Sequence, residues 1–254
     1  NFALLNTLVK YLSEDFNLSQ IIFFRSFFAV IFLFPFILKS GIRSLRTNSL
    51  KLQIIRCSLA VLAMYLWFYS ISKIPLAEAT AINFTAPIFG AIFAIFMLKE
   101  KIKYRRIIAI FISLLGALII IRPGLINFNQ FIFTTLIASI LMGLASVYIK
   151  KITLIDHPNA VIFYMPMVLT IVSFMPCMIF WKTPTIFPLL LLISTGLTAF
   201  FAHICITKAF SFSDATFVLV FDYLRLPFTA VLAFAIFGEV TSFWIWIGGV
   251  IIFS

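Results

Sequence analysis

The chain is a succession of long apolar runs in which polar residues do not alternate with apolar ones. Leu114-Leu115-Gly116-Ala117-Leu118-Ile119-Ile120-Ile121 is one such run, and the strands of a membrane barrel would alternate. Uninterrupted runs of this kind belong to helices that are buried on all sides or sunk in lipid. Composition decides between the two. Of 254 residues, 63% are hydrophobic and 11% charged, and mean hydropathy is +1.18. A soluble domain is about 45–50% apolar and about 25% charged. A water-soluble enzyme of this composition would carry an oily surface and is excluded. A spanning helix takes roughly 20 residues, so ten would use about 200 and leave loops of about five. The expectation is an all-α integral membrane protein with ten transmembrane helices, working inside the lipid bilayer.

Breaks at charged, Pro, Gly and Asn residues place the spans at 1–12, 19–38, 53–72, 77–98, 105–121, 131–149, 160–180, 187–208, 214–237 and 241–254. The first is short: the chain opens at Asn1 and Lys10 soon follows. It reads as a fragment lacking part of its first helix and some of its tail. Net charge is +11, from 19 Lys and Arg against 8 Asp and Glu. Such an excess suggests nucleic acid or an anionic surface in a soluble protein. In a membrane protein it reports orientation, because cytoplasmic loops collect Lys and Arg, and no nucleic-acid partner is expected. The connections after spans two, four, six and eight hold twelve basic residues: Lys39, Arg43, Arg46, Lys51, Lys99, Lys101, Lys103, Arg105, Arg106, Lys150, Lys151 and Lys208. The opposite side holds four, Lys10, Lys73, Arg122 and Lys182. Even-numbered spans therefore end in the cytoplasm, and both chain ends lie there. Cys57, Cys177 and Cys205 lie apart inside apolar runs and read as packing residues, not disulfides or metal ligands.

A pattern recurs. Glu78-Ala79-Thr80, Pro87 and Glu100 return as Asp214-Ala215-Thr216, Pro227 and Glu239, 136 to 140 residues later. The copies open spans four and nine, five helices apart, so the second must run through the membrane the opposite way. The loops agree: 99–106 carries five basic residues and its counterpart 238–243 none. The chain divides into two five-helix inverted repeats, 1–124 and 125–254, the architecture of a secondary transporter.

Pro75-Leu76-Ala77-Glu78-Ala79-Thr80 with Pro87 and Leu98-Lys99-Glu100, together with Phe221-Asp222-Tyr223-Leu224-Arg225-Leu226-Pro227 and Phe237-Gly238-Glu239, resemble the EamA-type members of the drug/metabolite transporter superfamily. The resemblance spans nearly the whole chain; Lys99 stands where the family usually has Gly. Within that family the chain is similar to S-adenosylmethionine uptake transporters of intracellular bacteria. The resemblance implies a bacterial inner-membrane carrier of a small organic metabolite, working by alternating access, coupled to protons or exchange and without a cofactor. S-adenosylmethionine is the candidate substrate; export of amino acids, nucleobases or drugs is the alternative.

Depth selects the ionisable residues that need a role. Arg225 lies eleven residues beyond Asp214, roughly 17 Å deep at 1.5 Å per residue and near the centre of a core about 30 Å thick. A central charge costs at least about 2.5–3.5 kcal/mol. Asp222, three residues before it, can pair with it on one helix face. Pro87 and Pro227 free the carbonyls of Asn83 and Tyr223 at mid-span in corresponding helices, the pattern of a transporter binding site. His203 lies deep in span eight on a face with Thr195, Ala199 and Thr207, and is a candidate for proton coupling. The repeat offset matches it to Trp67, whose neighbours Tyr65 and Tyr69 offer aromatic faces to a cationic or aromatic solute. Arg25 and Arg56 sit closer to helix ends, where their heads can extend to the interface, and Arg25 is a further substrate contact. The expected site is a midplane cavity lined by spans three, four, eight and nine, with Asp222, Arg225, Tyr223, His203, Asn83, Trp67, Tyr65 and Arg25 as contacts. If the substrate is S-adenosylmethionine, Arg225 would hold its carboxylate and Asp222 its sulfonium. Glu78 and Asp214 open their helices, where carboxylates meet the positive dipole end. Small residues at four-residue spacing, Ala86-Gly90-Ala94, Ala109-Ser113-Ala117 and Thr135-Ser139-Gly143, mark close helix contacts. No His-Glu-x-x-His, paired aspartates or nucleophile with a base is present, so an intramembrane hydrolase is not expected. A channel-like subunit differs from a carrier in lacking saturable flux.

Overall fold

The computed structural model describes residues 2–99 and 130–238, with isolated positions between and after them. Among the described residues every regular element is helical: α1 Phe2–Leu12, α2 Leu18–Ser40, α3 Leu50–Ile71, α4 Leu76–Asn83, α5 Ala86–Leu98, α6 Gln130–Thr153, α7 Pro158–Ile179, α8 Ile186–Phe212, α9 Ala215–Val220 and α10 Arg225–Phe237. Short 3-10 turns cover Ile42–Leu45 and Phe221–Leu224. Five helices, α2, α3, α6, α7 and α8, are long and apolar enough to cross a membrane. At 22 to 27 residues they run about 33–40 Å against a hydrocarbon core of about 30 Å. Large apolar side chains such as Phe34, Leu38, Phe96, Met175 and Ile186 point outward, which suits lipid and not water. Spans five and ten, with Glu100, Glu239 and the Ala109-Ser113-Ala117 stripe, fall outside the described residues.

Helix starts follow local chemistry. Asn17 caps α2, its side chain accepting from Ser19 N at 2.9 Å. His157 caps α7, its Nδ1 accepting from Asn159 N at 3.2 Å, with Pro158 in the first turn where its missing N–H is harmless. Asp214 occupies the N-cap position of α9, and Glu78 lies in the first turn of α4.

The helices group into two compact units that cut across the sequence halves. Unit 1 comprises residues 1–61 and 148–212, and unit 2 residues 62–147 and 213–254. In unit 1, α2 packs on α7 and α8, and α1 on α8. Gly196 of α8 lies against α2 so closely that a Cβ would stand 2.4 Å from the Phe28 Cβ. Asp156, between α6 and α7, ties two loops together. It accepts from the hydroxyls of Thr47 and Ser49 and from Asn48 N at 2.8 Å. Burial by itself would raise its carboxyl, but the Ser49 and Thr47 hydroxyls and the backbone of Asn48 and Ser49 outweigh this and hold it below the ordinary carboxylate range. At the other end of α2, the Gln20 amide donates to Lys182 O at 2.6 Å and accepts from Lys182 N at 3.1 Å, fixing the loop before α8.

In unit 2 both proline-bearing spans are broken. Residues 76–98 split into α4 and α5 around Phe84-Thr85, with Pro87 in the first turn of α5; residues 215–237 split into α9 and α10 around the 3-10 turn, with Pro227 in the first turn of α10. The Thr85 hydroxyl donates to Ile82 O at 2.9 Å, meeting one of the carbonyls the break exposes. The halves pack reciprocally: α4 against α10 and α5 against α9. First half on second half is the arrangement of two antiparallel helices, so the broken helices run in opposite directions. The two small-residue stripes within the described residues meet as their spacing predicts. A Cβ on Gly143 of α6 would lie 2.7 Å from Ala86 O and Gly90 N, so the backbones of α5 and α6 touch one turn beyond the break. After α5, Lys99 takes φ +54°, and after α10 Gly238 takes φ +62°. The turn expected to need Gly is thus made in the same left-handed conformation by Lys.

Candidate functional site

The antiparallel crossing in unit 2 brings the two breaks together, and the polar residues of both meet there. Asn83 is the last residue of α4 and Arg225 the first of α10. Arg225 Nη2 donates to Asn83 Oδ1 at 2.6 Å and stands 3.3 Å from Asp222 Oδ2. The guanidinium lies over the Phe84 ring, 5.8 Å from its centroid. Asn83 Nδ2 in turn donates to Ser139 Oγ at 3.1 Å and contacts Met142 Sδ at 3.3 Å, which ties the cluster to α6. Asp222 stands just before the N-terminus of α10, the end that favours an anion, and the Arg225 side chain reaches across to the C-terminal residue of α4, the end that favours a cation. The side chains of Arg225 and Asp222 are 13% and 26% exposed, so the carboxylate is the more open partner. Asp222 is thus the side of the pair open to an incoming cation, while Arg225 is held between Asp222 and the Asn83 side chain.

Unit 1 holds a second polar cluster. Arg25 and His203, 178 residues apart, meet at 3.1 Å between Arg25 Nη2 and His203 Nε2. An arginine only donates, so Nε2 is the acceptor and the imidazole hydrogen sits on Nδ1. Phe2 packs edge-on to the His203 ring at 6.3 Å. The face of α8 carrying Thr195, Ala199 and Thr207 is its buried one. The expectation that Arg25 and Arg56 reach to the interface is corrected here. Both are 2% exposed, Arg25 turning to His203 and Arg56 Nη1 donating to Val161 O at 2.8 Å. Each guanidinium has one of its terminal nitrogens on a partner inside the unit, a long-range contact that local sequence cannot reveal.

Of the expected contacts, the structure thus brings together Asn83, Asp222 and Arg225 in one unit and Arg25 with His203 in the other. Trp67 is buried and Tyr65 half-buried on the part of α3 that belongs to unit 2. Tyr223 lies in the 3-10 turn, and its side chain is outside the described residues. Gln53, which the sequence does not single out, lies three residues before Arg56 on one face of α3, and both are buried. Asp156 is likewise not singled out; its signal is an acidic residue just before His157-Pro158.

Two helix breaks joined by the Arg225–Asn83 hydrogen bond, with an ion pair in the second of them and apolar outer walls, suit a solute carrier, and comparison with known proteins gives the family. Residues 2–122 and 130–254 each match the EamA-like transporter family. The chain belongs to that family. An S-adenosylmethionine uptake transporter of Rickettsia bellii is 32% identical over 230 residues, covering 91% of this chain and 79% of the relative. A riboflavin transporter of Vibrio cholerae is 29% identical, covering 99% and 86%. A pseudopaline exporter of Pseudomonas aeruginosa is 28% identical, covering 99% and 89%. A crystal structure of another protein shares the fold at a TM-score of 0.77 with 14% identity, covering 99% of this chain and 92% of that one. These relatives are named as transporters, not enzymes, so this EamA-family chain is a multi-pass bacterial membrane transporter of a small molecule.

Proposed function

We propose that this EamA-family protein is a ten-span secondary transporter of the inner membrane, with both termini cytoplasmic, that moves a small organic metabolite by alternating access. The observation that carries this reading is the reciprocal packing of the two broken helices, α4–α5 and α9–α10, with Asn83, Asp222 and Arg225 joined at the crossing. Antiparallel broken helices from the two halves of a chain are the signature of inverted repeats around a binding site. S-adenosylmethionine is the candidate substrate, supported by the relative from Rickettsia bellii and by a site that combines a carboxylate, a guanidinium and an aromatic face. Asp222, Arg225 and Asn83 form the substrate or coupling-ion contact in unit 2. Arg25 and His203 are the corresponding candidates in unit 1, Trp67, Tyr65 and Tyr223 supply aromatic surface, and a proton or a counter-substrate drives the cycle.

The test is uptake of labelled S-adenosylmethionine by proteoliposomes. Saturable uptake by the wild type is expected, with loss of at least about 90% of it in Asp222→Asn and Arg225→Ala while protein in the membrane is unchanged. Normal uptake by both variants overturns the site. Flux that does not saturate points to a channel instead. Loading the vesicles and measuring efflux decides direction, since the relatives include both an uptake transporter and an exporter.

A further inference from the structure

The buried charges of unit 1 do not balance. Its three acidic residues are Glu14, Asp15 and Asp156, and all lie in loops between helices. Asp15 faces Lys182 at 3.6 Å and Asp156 is taken up by residues 47–49. The helices of the unit nevertheless bury Arg25 and Arg56, each 2% exposed. Among the described residues no carboxylate pairs with Arg56: its contact is the neutral carbonyl of Val161, through Nη1. Its buried Nε has no partner, which leaves the Nε–Nη2 edge, the fork that matches two acceptor oxygens side by side. One turn earlier on the same face of α3, Gln53 is 1% exposed, and neither its amide nitrogen nor its amide oxygen has a hydrogen-bond partner. A buried amide left unpaired costs about 1–3 kcal/mol, and a charge inside a membrane costs at least about 2.5–3.5. Two such costs side by side on one helix face describe a site built for something that supplies acceptor oxygens and negative charge. The charge of Arg56 acts on His203 together with that of Arg25, so the region is cationic beyond a single residue. By contrast, the Arg225 charge is already balanced by Asp222.

We propose that Arg56 and Gln53 form a carboxylate-binding subsite in unit 1, with the Arg56 Nε–Nη2 edge taking both oxygens and the Gln53 amide nitrogen donating a third hydrogen bond. This rests on the reading of the chain as a carrier of organic solutes, and it moves recognition of the solute's acid group from Arg225 to α3. Arg225 and Asp222 then serve a cationic group or the coupling ion.

The test is thermal unfolding of the purified full chain with paired probes that differ only in the acid: methionine against its methyl ester, and S-adenosylmethionine against its decarboxylated form. Inorganic phosphate is the third probe. At least one acid raises the wild-type midpoint and its partner does not. Arg56→Met weakens the apparent affinity for that acid by about 10- to 100-fold, the worth of a charge-assisted pair, and Gln53→Leu weakens it less. Without ligand, both variants unfold at or above the wild-type temperature, because each removes an uncompensated buried polar group. If Arg56 merely braces Val161, the ligand-free midpoint of Arg56→Met falls and the acid-dependent shift survives, which overturns the proposal. A response to phosphate but to neither acid, or to no probe, also overturns it. Absence of S-adenosylmethionine uptake in proteoliposomes would reject that substrate while leaving the methionine pair to decide the subsite.

Discussion

Removing Asp222 strands Arg225 inside the membrane, and the structure sets the size of the effect. At the observed 3.3 Å, two unit charges attract by about 5 kcal/mol at an effective dielectric of about 20. Desolvation takes back part of this, and breaking a buried pair by deleting one partner costs about 3–5 kcal/mol. Both side chains keep some access to water, which puts Asp222→Asn at the lower end, about 3 kcal/mol. In a chain of this size 1 kcal/mol moves the midpoint by about 2–4 °C, so the variant unfolds roughly 6–12 °C below wild type. Arg225→Met costs less, because the Asp222 left behind is the more exposed partner and keeps more access to water. The double variant Asp222→Asn with Arg225→Met carries no charge here and sits closer to wild type than Asp222→Asn alone. A coupling of at least about 2 kcal/mol is expected from the cycle, measured by thermal unfolding in one detergent at one pH. Effects that add to within about 0.5 kcal/mol refute a direct pair. The cycle also separates stability from function: the double variant regains stability but transports nothing, since neither charged group of the proposed site remains.

The other predictions concern structural devices outside the pair. Lys99→Gly relieves a left-handed residue worth about 1 kcal/mol, partly offset by the greater freedom of glycine in the unfolded chain, so the melting midpoint rises by about 1–3 °C; a fall refutes strain at this turn. Asp156→Asn puts an amide N–H where hydroxyl and backbone donors point and costs about 1–3 kcal/mol at pH 7. Because the folded carboxyl titrates below its unfolded value, its contribution is complete above about pH 4 and is lost as pH falls through the folded value. The gap between wild type and Asp156→Asn therefore narrows in acid. A gap constant down to pH 2 refutes the loop latch.

Much of this protein was legible in its sequence because the signals involved are local. Helix existence follows from the unbroken apolar runs, and the two breaks from Pro87 and Pro227, whose missing N–H acts within a turn or two of the chain. The pairing of Asp222 with Arg225 follows from three-residue spacing on one helix face, and the close contact of α5 with α6 from Gly90 and Gly143. Partner choice across the fold is another matter. With 63% of residues hydrophobic, one helix face is hardly distinguishable from the next, and a small-residue stripe marks a contact without naming what it touches. Only packing decided that Asn83 would accept from Arg225, 142 residues away, and that Arg25 would turn inward to His203. Packing likewise left Arg56 and Gln53 buried with no carboxylate partner among the described residues. A hydrogen bond depends on the positions of two side chains to within a few tenths of an ångström, and those positions are set by helices brought together from distant parts of the chain.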